Sequence, residues 1–293
     1  MELRVLNYFL VIANEKNFTK ASQLLHITQP TLSRQIAQLE KELGTKLFIR
    51  NNHNISLTED GLILKRRAEE LISLAEKTKK ELSYNDKELE GLINIGCGEF
   101  LSSKILCDIV AEFRKKYPLV QFDLYSGNGN NVCDRIESGL LDIGLVQIPF
   151  DINKYNYINM PIKEQWGIYL CDECELSQKE YIEPNDLQNI PIITTVNKYM
   201  EQKINSWLGK NKNDKVFARG NLLYNQTVMG KSNRSGVVGI KLNCSYDGLK
   251  FIPFKPKIES ETVLIWKKNC IFSTATNTFI EFMEQYLKGI TDN

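Results

Sequence analysis

Histidine is almost missing from this 293-residue chain, which has only His26 and His53. Everything beyond residue 53 therefore lacks the imidazole that most metal centres and nucleophile–base pairs use. No His-Glu-x-x-His, no glycine-rich phosphate loop ending in Lys-Ser or Lys-Thr and no serine with a nearby histidine occurs, so the chain is not expected to be an enzyme, and neither a cofactor nor a metal is expected. Long apolar runs are lacking too. None approaches the roughly 18 to 20 residues of a membrane helix, and the first apolar stretch, Val5 to Ala13, is broken by Asn7 and Tyr8 and has no cleavage signature. The expected setting is the cytoplasm, with no membrane partner. Seven cysteines, an odd number without a secretory signal, fit reduced thiols and not a disulfide framework. Net charge is also scarce: 37 Lys and Arg against 36 Asp and Glu leave +1, which taken whole argues against a nucleic-acid partner.

What is present is ordinary globular material, 42% hydrophobic and 25% charged, in a length that suggests about two domains. The charge, however, is unevenly spread. Residues 1 to 67 hold ten basic against six acidic residues, a surplus of four, while the remainder is acidic by three. A basic module on a mildly acidic body is the asymmetry of a chain that meets phosphate at one end.

Within that module Leu6, Phe9, Leu10 and Ala13 recur at three-and-four spacing, predicting a helix over 3–15. Thr19 is a candidate cap for a second helix carrying Ala21, Leu24 and Leu25 and ending at His26 and Ile27. Thr28 can cap a third, with Pro30 in its first turn, a stripe of Leu32, Ile36, Leu39 and Leu43, and Gly44 as the stop. Two helices across a tight turn form a helix-turn-helix, whose second helix can enter the major groove. Its outward residues Thr28, Gln29, Thr31, Ser33, Arg34 and Gln38 can bond base edges or phosphates. Short strands at 47–50 and 55–57 then form a wing around Asn51 to Asn54, with Arg50 and His53 placed for the flanking backbone.

The run from Phe18 to Ile36, with Leu39-Glu40, Leu43-Gly44, Leu47-Phe48, Arg50 and Leu57-Thr58-Glu59-Asp60-Gly61, resembles the winged helix-turn-helix of LysR-type transcriptional regulators. The match covers about the first 65 residues almost position by position; the rest follows the family plan more loosely. The resemblance implies a DNA-binding transcriptional regulator whose promoter binding responds to a small effector. A redox-sensing regulator, or a metabolite-binding or enzymatic protein with a helical adaptor, remains the alternative.

Thr58 can cap a long helix in which Leu64, Ala68, Leu71, Ala75, Thr78 and Leu82 form a heptad seam among charged neighbours. Such a narrow stripe suggests pairing with a second helix, the alternative being a helix lying on its own domain. The family resemblance implies a homodimer paired through antiparallel helices, a double-stranded operator with an inverted repeat, and a homotetramer. The expected domains are 1–58, 59–90 and 91–293, residues 83 to 91 being a polar linker.

From Leu92 onward, short apolar strands alternate with amphipathic helical stretches, which predicts an α/β body with a mostly parallel sheet and ligands at the carboxyl ends of its strands. The resemblance implies a two-lobed, periplasmic-binding-protein-like effector domain, lobe one at 91–161 and 265–293 and lobe two at 162–264, with crossings near Pro161 and Leu264. Carried over by position, the effector residues are Gly98, Glu99, Phe100, Ser102 and Ser103, then Asn128, Gly129 and Asn130, and in lobe two Thr194, Thr195 and Asn225, with Gln226 beside it. Relatives that sense carboxylates usually carry Ser or Thr where Gly98 or Glu99 and Gly129 stand. An ionised Glu99 would repel an anion unless turned away, so an amine or zwitterion fits better. The Cys171-x-x-Cys174 pair lacks the further ligands zinc needs, and the intervening acids raise thiol pKa values.

Overall fold

A computed structural model describes residues 1–51, 54–82, 89–149, 152–209 and 215–291. By packing, the chain divides into two units, Met1–Tyr84 and Asn85–Asn293. In the first, α1 (Leu3–Glu15), α2 (Phe18–Leu24) and α3 (Gln29–Leu43) precede the hairpin β1 (Phe48–Asn51) and β2 (Asn54–Leu57) and the long α4 (Glu59–Leu82). The stripe on α1 buries Leu6, Phe9, Ile12 and Ala13 in one core with Ala21, Leu32 and Ile36. Phe9 and Phe18 both set their rings against Phe48 at the wing, with centroids 5.2 and 5.8 Å away.

Local chemistry sets the boundaries. Asn17, not Thr19, caps α2: its backbone is extended and its side chain accepts from the Lys20 N–H at 3.0 Å. The helix stops at Leu24, short of the expected His26, because His26 adopts a left-handed φ of 54° that turns the chain into α3. Thr28 caps α3, accepting from the Thr31 N–H at 3.4 Å, and Gly44, at φ 71°, ends it. Leu43 is 40% exposed instead of buried; the inward position at that end belongs to Glu40.

Glu40 joins the helices to the wing. Its buried carboxylate accepts from the Leu47 N–H at 2.9 Å, the Phe48 N–H at 3.4 Å and the Lys46 ammonium at 2.7 Å. From the other side α4 approaches so closely that a Cβ on Gly61 would stand 2.3 Å from the Leu47 carbonyl oxygen. Thr58 caps α4 by accepting from the Gly61 N–H at 2.9 Å.

The expected pairing seam on α4 needs correction. Ala68 is fully buried in the core of its own unit, with Leu64 and Ile72 packed beside it, because the first turns of α4 must close that core against α1. Leu71 and Leu74 stay exposed and Ala75 is half-buried. The side chains of Arg50 and Leu82, all of His53 and the linker positions 83–88 lie outside the described residues.

The second unit carries β3 (Gly91–Cys97), α5 (Ser103–Lys116), β4 (Val120–Ser126), α6 (Gly129–Glu137), β5 (Ile143–Gln147) and the 17-residue β6 (Tyr155–Cys171). It continues with β7 (Ile192–Thr195), α7 (Lys198–Leu208), β8 (Val216–Gly220), α8 (Leu223–Asn233), β9 (Gly236–Ile240), β10 (Leu249–Pro253), β11 (Glu259–Lys267) and α9 (Thr274–Thr291). The strand order is β4-β3-β5-β11-β6-β9-β7-β8, with β10 also on β6. Each lobe has a parallel trio, β4-β3-β5 and β9-β7-β8. β6 and β11 run against their neighbours, so antiparallel pairs are as numerous as parallel ones and the sheet is mixed, not mostly parallel. Strands that leave one lobe and return must oppose the strands they join.

β6 pairs with β11 as far as Gln165 and with β9 and β10 beyond it. The return crossing lies at Glu259–Thr262, where the register shifts, close to the expected Leu264, which itself sits between Leu145 and Ile158 in lobe one. Lobe one packs Ile93, Ile109, Phe113, Leu264 and Phe279, with the Phe113 and Phe279 rings edge-on at 5.0 Å; lobe two packs Ile168, Ile182, Met200, Ile204 and Ile252.

Replacing Glu40 with alanine leaves the buried Leu47 and Phe48 N–H groups without an acceptor and should cost about 1–3 kcal/mol. A lower urea midpoint for the amino-terminal unit is the expected result; an unchanged midpoint would contradict it. Burial raises the Glu40 carboxyl, but Lys46 and the two N–H groups outweigh it and hold the group below its ordinary 4.5. Its stabilisation is present above that value and fades as pH falls through the lower folded value, so Glu40→Gln should flatten the acid limb of the stability curve.

Candidate functional site

Two surfaces assemble the predicted residues. On α3, Thr28, Gln29, Thr31, Arg34 and Gln38 are exposed along one face and Ser33 is half-buried. The stripe of Leu32, Ile36 and Leu39 holds the opposite face in the core, which is why these polar groups point outward. The Thr28 and Thr31 hydroxyls share a hydrogen bond of 2.8 Å at the start of the helix. Arg34 has no acidic partner among the described residues. An unpaired guanidinium close to the positive end of a helix suits a phosphate or a guanine edge.

The second surface is a cleft of about 420 Å³ between the two lobes of the body, within the range of small-molecule pockets. Of the expected effector residues, Gly98, Glu99, Phe100, Asn128, Gly129, Asn130 and Thr195 line it. Three helices begin at its walls. Asn128 caps α6, accepting from the Asn131 N–H, and Asn197 caps α7, accepting from the Met200 N–H. α8 begins with Leu223, whose N–H donates to the Glu99 carboxylate reaching over from lobe one.

Side chains from both lobes and both crossing strands meet at the cleft floor. Ser260 on β11 accepts from the Trp166 indole at 2.9 Å and from the Gln147 amide, and Gln147 in turn accepts from Asn197 at 3.4 Å. These bonds tie the walls of the cleft to the strands that connect the lobes.

Four expected effector residues lie elsewhere. Ser102 is fully buried: its hydroxyl donates to Glu164 at 2.6 Å and shares a bond of 2.9 Å with Thr262, so it anchors the loop to the crossing strands. Ser103 turns back on the same loop, donating to the Gly98 carbonyl and accepting from the Phe100 N–H. Thr194 is 2% exposed and belongs to the sheet interior, since the alternation along β7 turns Thr195 to the cleft instead. Asn225 is solvent-exposed and is not part of the lining; the neighbouring Gln226 is. Gln147, Trp166, Lys198, Tyr199 and Asn221 also line the cleft and escaped the sequence reading. For Lys198 and Tyr199 a signal existed: Met200, Ile204 and Leu208 recur every four residues behind a capping Asn197.

The cysteines are all free thiols. Burial, then Glu173 and Cys174, push the Cys171 thiol up, and burial also raises Cys97 and Cys133, away from the reactive thiolate form. Among the described residues, no helix is long and apolar enough to cross a membrane.

The family described as "Bacterial regulatory helix-turn-helix protein, lysR family" matches residues 3–62, and "LysR substrate binding domain" matches residues 86–227. The chain is 31% identical to the transcriptional activator IlvY of Haemophilus influenzae over 74% of its own length and 76% of that protein's. It is 28% identical to a probable RuBisCO transcriptional regulator of Phaeodactylum tricornutum over 68% and 66% of the two lengths. The chain spans 63% to 66% of several curated relatives it matches, just under two thirds. Crystal structures of CbnR, a LysR family transcriptional regulator, share the fold with TM-scores of 0.78 alone and 0.76 in a complex with its target DNA. Sequence identity to each is 15%, and the two overlays cover 98% of this chain and 99% and 100% of the others.

The loop from Gly98 to Ser103 owes its position to Glu164, a fully buried carboxylate that accepts from the Leu101 N–H at 2.8 Å and from the Ser102 N–H at 3.1 Å as well as from the Ser102 hydroxyl. Glu164→Ala should destabilise the body by about 2–3 kcal/mol, the worth of hydrogen bonds to a buried charge. Thermal unfolding checks this, and faster amide exchange at 98–103 should accompany it; a variant as stable and as protected as the parent would contradict the role.

Proposed function

Because the chain belongs to the LysR family of bacterial helix-turn-helix regulators, we propose that it is a DNA-binding transcriptional regulator whose promoter binding is modulated by a small molecule held in the cleft of its body. The observation that carries the reading is the exposed polar face of α3, with Arg34 unpaired, set behind a tight turn and followed by a wing. Two related proteins, a transcriptional activator and a regulator complexed with its target DNA, support it. Thr28, Gln29, Thr31, Ser33, Arg34 and Gln38 meet the major groove in this reading, and Arg50 and His53 the flanking backbone.

The head's surplus of four positive charges is modest, so useful affinity calls for two heads on one operator. A homodimer through α4 supplies them, and a two-fold symmetric protein reads an inverted repeat. The solvent-facing stripe of Leu71, Leu74 and Thr78, spaced three and four, is the pairing seam we favour, since Ala68 is committed to the head's own core. Assembly into tetramers extends the same reading. The effector class is an amine or zwitterion, as Glu99 disfavours a simple anion at its end of the cleft.

A gel-shift with an inverted repeat upstream of the protein's own gene tests the reading; no retardation even at low salt, where phosphate contacts are strongest, would sink it. Arg34→Ala should weaken binding about tenfold or more, the worth of a guanidinium contact to a base or phosphate, while the oligomeric state is unchanged. Leu74→Asp should shift the sedimentation of the protein toward monomer, whereas Ala68→Asp should unfold the head by burying an unpaired charge. Dimers that survive Leu74→Asp intact would rule out the proposed seam.

A further inference from the structure

Gln226 is 8% exposed, lines the cleft, and its Oε1 has no hydrogen-bond partner. Its Nε2 donates to the Leu222 carbonyl at 3.1 Å, which fixes the amide's orientation and leaves Oε1 an unsatisfied acceptor buried in the wall of the cleft. Gln226 lies one turn along α8 from Leu223, whose N–H is bonded by Glu99. No Lys or Arg among the described residues pairs with Glu99. The start of α8, a place that attracts anions, is thus already taken by a carboxylate of the chain itself. The wall at this end of the cleft holds two acceptors, the Glu99 carboxylate and the buried Gln226 Oε1.

The loops before α6 and α7 offer the reverse. Lys198 is exposed with no acidic partner among the described residues. Asn128 and Asn197 each satisfy one first-turn N–H, and further N–H groups of those turns remain for a ligand. The cleft is therefore dipolar, with acceptors at the head of α8 and donors at the heads of α6 and α7.

We propose that Glu99 and Gln226 are specificity residues that make the cleft select a free amino acid. The ammonium group bonds Gln226 Oε1 and the Glu99 carboxylate, and the ligand's carboxylate meets Lys198 and the first turns of α6 and α7. This rests on the reading of the cleft as an effector site. It makes Glu99 a built-in anion that admits a cation beside it and bars a second carboxylate from the α8 terminus.

The full-length protein tests it by thermal shift and calorimetry with the twenty common L-amino acids and their des-amino analogues, on samples whose operator gel-shift is recorded in parallel. At least one amino acid should bind, and at least tenfold tighter than its des-amino analogue. Glu99→Gln should erase most of that preference, and Gln226→Met should weaken the amino acid at least tenfold. Des-amino acids that bind as well as amino acids, a preference untouched by Glu99→Gln, or no binding by any amino acid at about 10 mM would each overturn the proposal. Loss of the operator shift in the unsubstituted protein would instead overturn the regulator reading beneath it.

Discussion

The first turn of every helix presents N–H groups with no acceptor inside the helix, and the way each is satisfied orders much of this structure. α2, α3, α4, α6, α7 and α9 use the residue just before them: Asn17, Thr28, Thr58, Asn128, Asn197 and Ser273. α1, α5 and α8 do not, for Glu2, Ser102 and Leu222 make no capping bond with their side chains. For α5 and α8 the acceptors come from far along the chain, Glu164 for the turn leading into α5 and Glu99 for α8. Of those two long-range carboxylates, one lies on a crossing strand and one reaches across the cleft. A local cap stabilises a helix; a distant one couples it to another element.

Glu40 applies the same device to the wing, supplying acceptors to the N–H groups of Leu47 and Phe48 where β1 begins. Three glutamates thereby spend their carboxylates on backbone N–H groups, Glu40 taking the Lys46 ammonium as well. Near-neutrality of the whole chain conceals this division. The head keeps its surplus of positive charge and an unpaired Arg34, and the body keeps a mild acidic excess. These are opposite needs, since phosphate attraction helps a reading head and would only promote indiscriminate binding by a sensing body.

Legibility in the sequence followed the strength of periodicity. α1 and α3 announce themselves through apolar stripes that one core absorbs, and the expected bounds of α1 are those observed. α8 was missed because its inward face is Leu223, Gln226, Thr227 and Gly230, a mixture with no apolar rhythm, and with it went the helix start that Glu99 serves. The heptads of α4 were visible, but periodicity tells only that a face is covered, not by what. Ala68 turned out to be covered by its own head. Ser102 and Thr194 read as ligand hydroxyls because they end the right strands or open the right helix; one-residue alternation and the pull of Glu164 took them into the interior.

By itself, then, the sequence determined the kind of molecule: a winged helix-turn-helix followed by a long helix and an α/β body, because stripes, caps and stops act within a few residues of one another, while the two lobes were implied only by the family resemblance. The tertiary structure decided which side chains share a site. Glu99 meets Leu223, Glu164 meets Ser102, and Gln147 meets Ser260 only because β6 and β11 carry the chain out of one lobe and back again. Partners 62 to 124 positions apart leave no mark on local pattern. Glu99 could be seen in the sequence, but its direction, across the cleft to Leu223, came from the fold.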